Sequence, residues 1–141
     1  MVRSKVKIGV LALQGDFAEH ISVLDNLNVN CTIVKKPNEL SDINGLIIPG
    51  GESTTIKKLI DRYDFEGEIK EKVSLGMSVW GTCAGLICIA KKLTEPEPIP
   101  MNLINAEVSR NWFGRQVDSF ESEINFSGIE EKIKAVFIRA P

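Results

Sequence analysis

The chain has 141 residues, 43% of them hydrophobic and 26% charged, a length that fits one domain with a core large enough to fold without staples. Lys and Arg total 17 against 19 for Asp and Glu, a formal charge of -2, so there is no net positive field to draw in nucleic acid or anionic lipid. The wholly apolar runs fall far short of the ~20 residues that a spanning helix needs, and Met1 to Lys5 lead into a strand-like run rather than a signal sequence, which argues against secretion and membrane insertion. The 3 cysteines, Cys31, Cys83 and Cys88, have no Cys-x-x-Cys spacing; a disulfide framework and a structural zinc site are not expected, and neither a metal nor a cofactor is called for. A reducing cytoplasm is the expected compartment.

From Lys7 the chain reads Ile8-Gly9-Val10-Leu11-Ala12-Leu13, the near-continuous apolar run of a parallel strand covered on both faces. Gln14-Gly15-Asp16 breaks it, and Asp16 is placed to cap a helix whose Phe17, Ile21, Leu24 and Leu27 recur at helical spacing. Cys31 to Val34 is a short β-branched strand, Pro37 and Asn38 punctuate it, and Gly45 to Ile48 is a third buried strand ending at Pro49-Gly50-Gly51. Helices are expected over Thr54–Tyr63 and Phe65–Leu75 with Gly76 as a stop, then a strand at Ser78–Trp80, a Gly-rich turn, and an apolar helix over Leu86–Leu93. Strands alternating with helices predict a doubly wound, three-layer α/β/α arrangement with a mostly parallel central sheet. Glu95 to Pro100 holds 3 of the 6 prolines and reads as a surface loop. Beyond it, Ala106–Ser109, Val117–Ile124 and Ala135–Arg139 read as strands without intervening helices, the second a half-exposed alternating strand, so an antiparallel extension is expected near the C-terminus. No repeat or low-complexity tract marks a second domain, and residues 1–141 read as a single domain.

Gly81-Thr82-Cys83-Ala84-Gly85 matches the small-x-nucleophile-x-small pattern of a nucleophile elbow, with cysteine in the place of serine. Such a strand-to-helix turn exposes the sulfur at the carboxyl end of the sheet, and a helix N-terminus there favours negative charge and offers N–H groups to an oxyanion. The plainer alternative is a structural cysteine in a Gly-rich turn; Cys88, among Ile87 and Ile89, and Cys31, at a strand start, read as that kind. Pro49 to Thr54 follows a buried strand and opens a helix, so its N–H groups serve either an anion or oxyanion site or a plain turn with Ser53 or Thr54 as N-cap. Ser109 to Gln116 combines Arg110 and Arg115 with Trp112 and Phe113, which suits a carboxylate grip or else a solvated basic loop with its aromatics in the core. His20 is the only histidine. Its place on the first helix, away from any strand's carboxyl end, favours a packing or interface role over that of a base.

Taken together, Gly9 to Asp16, Pro49 to Thr55, Gly81 to Leu86, Arg110-Asn111 with Phe113 to Phe120, and Val136 to Pro141 resemble the glutaminase subunits of pyridoxal 5′-phosphate synthase, a family of class I glutamine amidotransferases. The resemblance runs from about Val6 to Pro141, and the Arg-Asn-x-Phe-Gly-Arg-Gln segment is its most specific part. It implies hydrolysis of L-glutamine to glutamate and ammonia, the ammonia passing through a protein tunnel to the synthase subunit that builds the vitamin B6 cofactor. Cys83 matches the nucleophile that forms a γ-glutamyl thioester. Gly50, Gly51 and Glu52 match the glutamine and oxyanion site, with N–H groups of Gly51 and Ala84 as oxyanion donors, while Arg110, Ile138 and Arg139 match substrate contacts. The turn around Gln14 and the neighbouring helix would face the synthase partner, with His20 as an interface residue.

The family carries its triad histidine and glutamate in a His-Pro-Glu segment downstream of the Ile-Arg-Ala-Pro match. The resemblance therefore implies a C-terminally incomplete domain here, inactive by itself for want of a base and acid. Glu95 to Pro100 also departs from the family's loop. A runner-up reading is a non-catalytic chain that keeps the fold and docks to the synthase for assembly or regulation. A third, a cysteine-based redox protein on a related α/β fold, shares the elbow but not the Arg-Asn-x-Phe-Gly-Arg-Gln segment.

Overall fold

The apolar run after the N-terminus forms β1 (Lys7–Leu11), followed by α1 (Phe17–Asn26), β2 (Asn30–Val34), a 3-10 turn (Pro37–Leu40) and β3 (Gly45–Ile48). Then come α2 (Ser53–Arg62), α3 (Phe65–Ser74), β4 (Ser78–Gly81), α4 (Ala84–Ile89), β5 (Ala90–Leu93) and β6 (Ile104–Val108). The structure is a computed structural model that describes residues 5–114 and 118–138, in two compact units that divide between Glu107 and Val108.

In the first unit, β1 to β4 form one sheet in the order β2-β1-β3-β4, and the three pairings are parallel. This is the expected central sheet, with β1 inside it, and its twofold alternation sends side chains to two faces. Leu46 and Ile48 join a core with Ile56 and Ile60 of α2, Phe65 and Ile69 of α3, and Cys88 and Ile89 of α4. Each large side chain in that cluster stabilises the fold by about 1.5–3 kcal/mol through removal from water. Ile8, Ile47 and Trp80 point to the other face, where with Leu24 of α1 they line an apolar cleft. Helices thus flank a mostly parallel sheet, the three-layer arrangement expected from the alternating elements.

α2 and α3 are pinned together by a buried cation. Lys57 Nζ stands 2.5 Å from Asp61 Oδ1 and 2.7 Å from Glu66 Oε2, and Lys70 adds a 2.8 Å pair to the other oxygen of Glu66. Burial pushes the Glu66 carboxyl up, but the hydrogen bonds from Lys57 and Lys70 outweigh it and hold the group down at about 2. Lys57 is likewise pulled down by burial and raised on balance by its bonds to Asp61 and Glu66.

The apolar helix expected over Leu86–Leu93 ends at Ile89, and Ala90–Leu93 is strand. Competition for backbone partners explains the change. Met101 N–H donates to Cys88 O, Leu103 N–H to Ile89 O and Asn102 N–H to Ala90 O, so the returning chain takes carbonyls that a longer helix would have used. Ala90 and Leu93 are then buried and Lys91 and Lys92 exposed. β5 pairs with β6 in a separate two-stranded sheet. Residues 94–103 between them contain no helix or strand, as expected for the Pro-rich loop.

The first turn of α4 lies hard against the end of β3. A Cβ on Gly85 would stand 1.9 Å from the Ile48 carbonyl oxygen, and one on Gly81 2.4 Å from the Gly85 carbonyl carbon. Backbone meets backbone at both points, so no side chain can swing away to make room.

The second unit holds β7 (Phe120–Ile124) and β8 (Ile133–Phe137), which pair antiparallel, as expected of the C-terminal extension. The half-exposed strand expected over Val117–Ile124 is almost wholly exposed in its described part, with only Ile124 half-buried; Val117 lies outside the described residues. Cross-strand Glu121–Lys134 at 2.5 Å and the flanking Glu123–Lys132 at 3.8 Å line its surface. Phe113 packs edge-on to Phe120 at 5.0 Å and to Phe137 at 5.5 Å.

Gly85→Ala is expected to cost at least ~3 kcal/mol, the upper range for overpacking, because both clashing partners are main chain; chemical denaturation of the purified variant reads this directly. Glu66 is about 2 folded against 4.5 as its ordinary value, so its contribution is complete above about pH 4.5 and is lost as the pH falls towards 2. Thermal midpoints between pH 6 and pH 2.5 should therefore drop more steeply for the wild type than for Glu66→Gln.

Candidate active site

Three loops meet at the carboxyl ends of β1, β3 and β4. Parallel strands leave their C-terminal ends at one edge of the sheet, which is where such folds assemble sites.

The loop after β4 carries Cys83, which has φ 51° and ψ -111° and an exposed thiol. A non-glycine residue with that backbone stores roughly 1–3 kcal/mol of strain and persists only where its surroundings enforce it. Here Thr82 N–H donates to Ile48 O at 3.1 Å, Gly85 N–H to Thr82 O at 2.9 Å and Ile87 N–H to Cys83 O at 3.2 Å. The sharp strand-to-helix turn read from Gly81 to Gly85 is present, and Cys83 is its left-handed residue. Cys88 is fully buried with its Sγ donating to Ser53 O at 3.7 Å, and Cys31 is half-buried with Sγ 3.8 Å from Asp25 Oδ1.

The loop after β3 carries Gly50, Gly51 and Glu52. A Cβ on Gly50 would stand 3.4 Å from Cys83 Cβ and 3.3 Å from Asp16 Oδ2, so the structure brings Gly50 beside the cysteine. Glu52 is the N-cap of α2, rather than Ser53 or Thr54 as the plain-turn alternative had it. Its carboxylate accepts from Thr54 Oγ1 at 2.5 Å, Thr55 Oγ1 at 2.7 Å, Thr55 N–H at 2.7 Å and Thr54 N–H at 3.4 Å. The two threonine hydroxyl bonds, with help from the two N–H groups, hold its carboxyl down at about 2. Its side chain therefore organises the loop, and its own N–H donates to Gln14 Oε1 at 3.0 Å.

The third loop, Gln14 to Asp16, is a part of this site that sequence reasoning left out. Asp16 N–H donates to Gly50 O at 2.9 Å, and Gly15, at φ 98°, comes so near that a Cβ would lie 2.0 Å from the same oxygen. Asp16 stands at the N-cap of α1 as expected, but without a side-chain bond to that helix. The break in the apolar run at Gln14-Gly15-Asp16 was the available signal; what it could not reveal is that the turn folds over the Gly50 loop.

His20 also departs from expectation. Rather than lying away from every strand's carboxyl end, its Nε2 is 3.0 Å from Thr82 Oγ1, and its ring meets Trp80 edge-on at 6.5 Å. One helical turn carries the side chain from Asp16, at the loop cluster, to the turn that bears Cys83.

Arg110 and Ile138 belong to the second unit, both half-buried, Arg110 in the turn after β6 and Ile138 just after β8. Arg139 lies outside the described residues, as do Arg115, Gln116 and Val117. Trp112 is exposed, while Phe113 is held by Phe120 and Phe137. Among the described residues no group of His, Cys, Asp and Glu could hold a metal ion, and no helix is long and apolar enough to cross a membrane.

Comparison with known proteins places the chain in a family. The SNO glutamine amidotransferase family matches residues 10–141. The pyridoxal 5′-phosphate synthase subunit PdxT of Niallia circulans is 48% identical over 136 residues, covering 96% of this chain and 72% of the relative. The protein of the same name from Dehalococcoides mccartyi is 50% identical over 141 aligned positions, covering 96% and 71%. A crystal structure described as a glutamine amidotransferase superposes with a TM-score of 0.85 at 45% identity, covering 94% of this chain and 70% of that one. With its exposed cysteine on a strained strand-to-helix turn beside a glycine loop, this chain belongs to the SNO glutamine amidotransferase family.

Proposed function

We propose that this chain is the glutaminase component of a pyridoxal 5′-phosphate synthase, hydrolysing L-glutamine and passing the ammonia to a synthase subunit in the cytoplasm. The observation that carries the proposal is the juxtaposition of the left-handed, exposed Cys83 with Gly50 in a chain about half identical to proteins named as PdxT.

In this reading the Cys83 sulfur attacks the γ-amide carbon of glutamine. The carbonyl oxygen becomes an oxyanion that the N–H groups of Gly51 and Ala84 receive. The C–N bond breaks, ammonia leaves with the proton it needs, and a γ-glutamyl thioester remains; water then adds to the thioester and releases glutamate, returning the thiol. Gly50 leaves room beside the sulfur for the substrate. Glu52 contributes by shaping the loop, since its carboxylate is committed to Thr54 and Thr55. Arg110, Ile138 and Arg139 serve as substrate contacts, the arginines matching the carboxylate of glutamine by charge and fork geometry. We assign residues 1–141 to one glutamine amidotransferase-like domain.

The proton transfers require a base and acid, and in the family these come from the His-Pro-Glu segment. His20, the one histidine of these 141 residues, is engaged with Thr82. Ammonia release from L-glutamine, measured with the synthase subunit present, tests the proposal on this chain and on one extended past Pro141 by that segment. The extended chain should turn over, Cys83→Ala should abolish turnover, and the 141-residue chain should be slower by ~10²–10⁴-fold, the usual contribution of general acid–base catalysis. An extended chain that binds the synthase yet releases no ammonia would favour the non-catalytic assembly role instead.

A further inference from the structure

The turn that bears Cys83 is held by two main-chain hydrogen bonds within the strand–turn–helix unit, by a third from Thr82 N–H to Ile48 O of β3, and by one side-chain bond that the unit does not require. That bond joins His20 Nε2 to Thr82 Oγ1 at 3.0 Å, across 62 positions of sequence. The ring is fixed on a second side by Trp80, whose indole it meets edge-on with an interplanar angle of 68°. Trp80 and Thr82 belong to the same stretch of chain, three residues and one residue before the cysteine, so one imidazole grips the approach to Cys83 at two points. The glycines at 81 and 85 permit the close approach of main chain but resist no rotation about it. Cys83, at φ 51°, has strain to release if its neighbour is free to turn.

We infer that His20 is a positioning residue: acting through the Thr82 hydroxyl, it holds Cys83 in its left-handed conformation with the thiol presented to solvent. The role needs no contact between the ring and the sulfur. It rests on the reading of Cys83 as the nucleophile, and it gives the histidine a task on the nucleophile turn rather than at a packing or partner surface. It also makes α1 the element through which displacement of that helix would reach the thiol.

Site-resolved alkylation of the 141-residue chain by iodoacetamide tests this, because the three cysteines differ in exposure. Cys83 is exposed and reports the turn, half-buried Cys31 gives a reference rate on the same molecule, and buried Cys88 is labelled only on unfolding. The Cys83 to Cys31 rate ratio should fall ~3- to 10-fold in His20→Ala, the range set by an ordinary hydrogen bond, with Cys88 still protected. His20→Gln, whose terminal amide reaches the Nε2 position, should restore the ratio to within about twofold, whereas the shorter His20→Asn should not. Thr82→Val should match His20→Ala, and the double variant should lose no more than either alone.

An unchanged or raised ratio in folded His20→Ala, equal ratios for Gln and Asn, or losses that multiply in the double variant would each overturn the inference. If His20→Ala labels Cys88 and so is unfolded, the contrast between Gln and Asn decides alone. Alkylation requires no glutamine chemistry, so failure here and failure of the glutaminase reading are separate results.

Discussion

The contact on which the site depends is between two stretches of main chain. Gly85 lies against the Ile48 carbonyl at a distance that leaves no space for a side chain, and this seats the first turn of α4 on the end of β3. From it follow the sharp turn after β4 and the nearness of the Gly50 loop, which begins one residue after Ile48. A residue with a Cβ at position 85 would move the helix and carry the sulfur with it. The packed backbone thus sets where the turn lies against the sheet.

Around that contact the polar groups are committed to order. The Glu52 carboxylate closes the start of α2 with four bonds, and Gln14 holds the Glu52 N–H from the opposite loop. Asp16 N–H ties the same two loops at Gly50. The site is preorganised by hydrogen bonds between loops that are remote in sequence, and a rigid frame of this kind can stabilise developing charge without reorganising as the reaction proceeds. Lys57, buried between two carboxylates of α2 and α3, supports it at a distance by fixing the helix whose first turn Glu52 caps.

Much of this was legible in the sequence, and the reason is periodicity. Buried parallel strands are short and nearly all apolar, so Gly45 to Ile48 could be read to the residue, and α1, α2 and α3 fell within one residue at each end of their expected limits. The helix expected over Leu86–Leu93 failed because an apolar run carries no record of which strand will compete for its carbonyls; Met101 to Leu103, well beyond the proline loop, decide it. The elbow was visible because Gly81 and Gly85 flank Cys83 at the spacing the turn demands. His20 was misplaced for a different reason. Its neighbours in sequence describe its own helix, whereas its partner, Thr82, is 62 residues on, and single hydrogen bonds across a fold leave no pattern in composition. The role of the Glu52 side chain was hidden likewise, since a glutamate before Ser-Thr-Thr reads as readily as a ligand as it does as a cap.

The central claim is that Cys83 is the nucleophile of a glutamine site. Covalent labelling with a chloroketone analogue of L-glutamine, followed by peptide mapping, tests it most directly. The account predicts a single adduct on Cys83, suppressed by excess L-glutamine and not by L-glutamate at the same concentration. Labelling of Cys31 at a comparable rate, or a Cys83 adduct that L-glutamine fails to suppress, would contradict it.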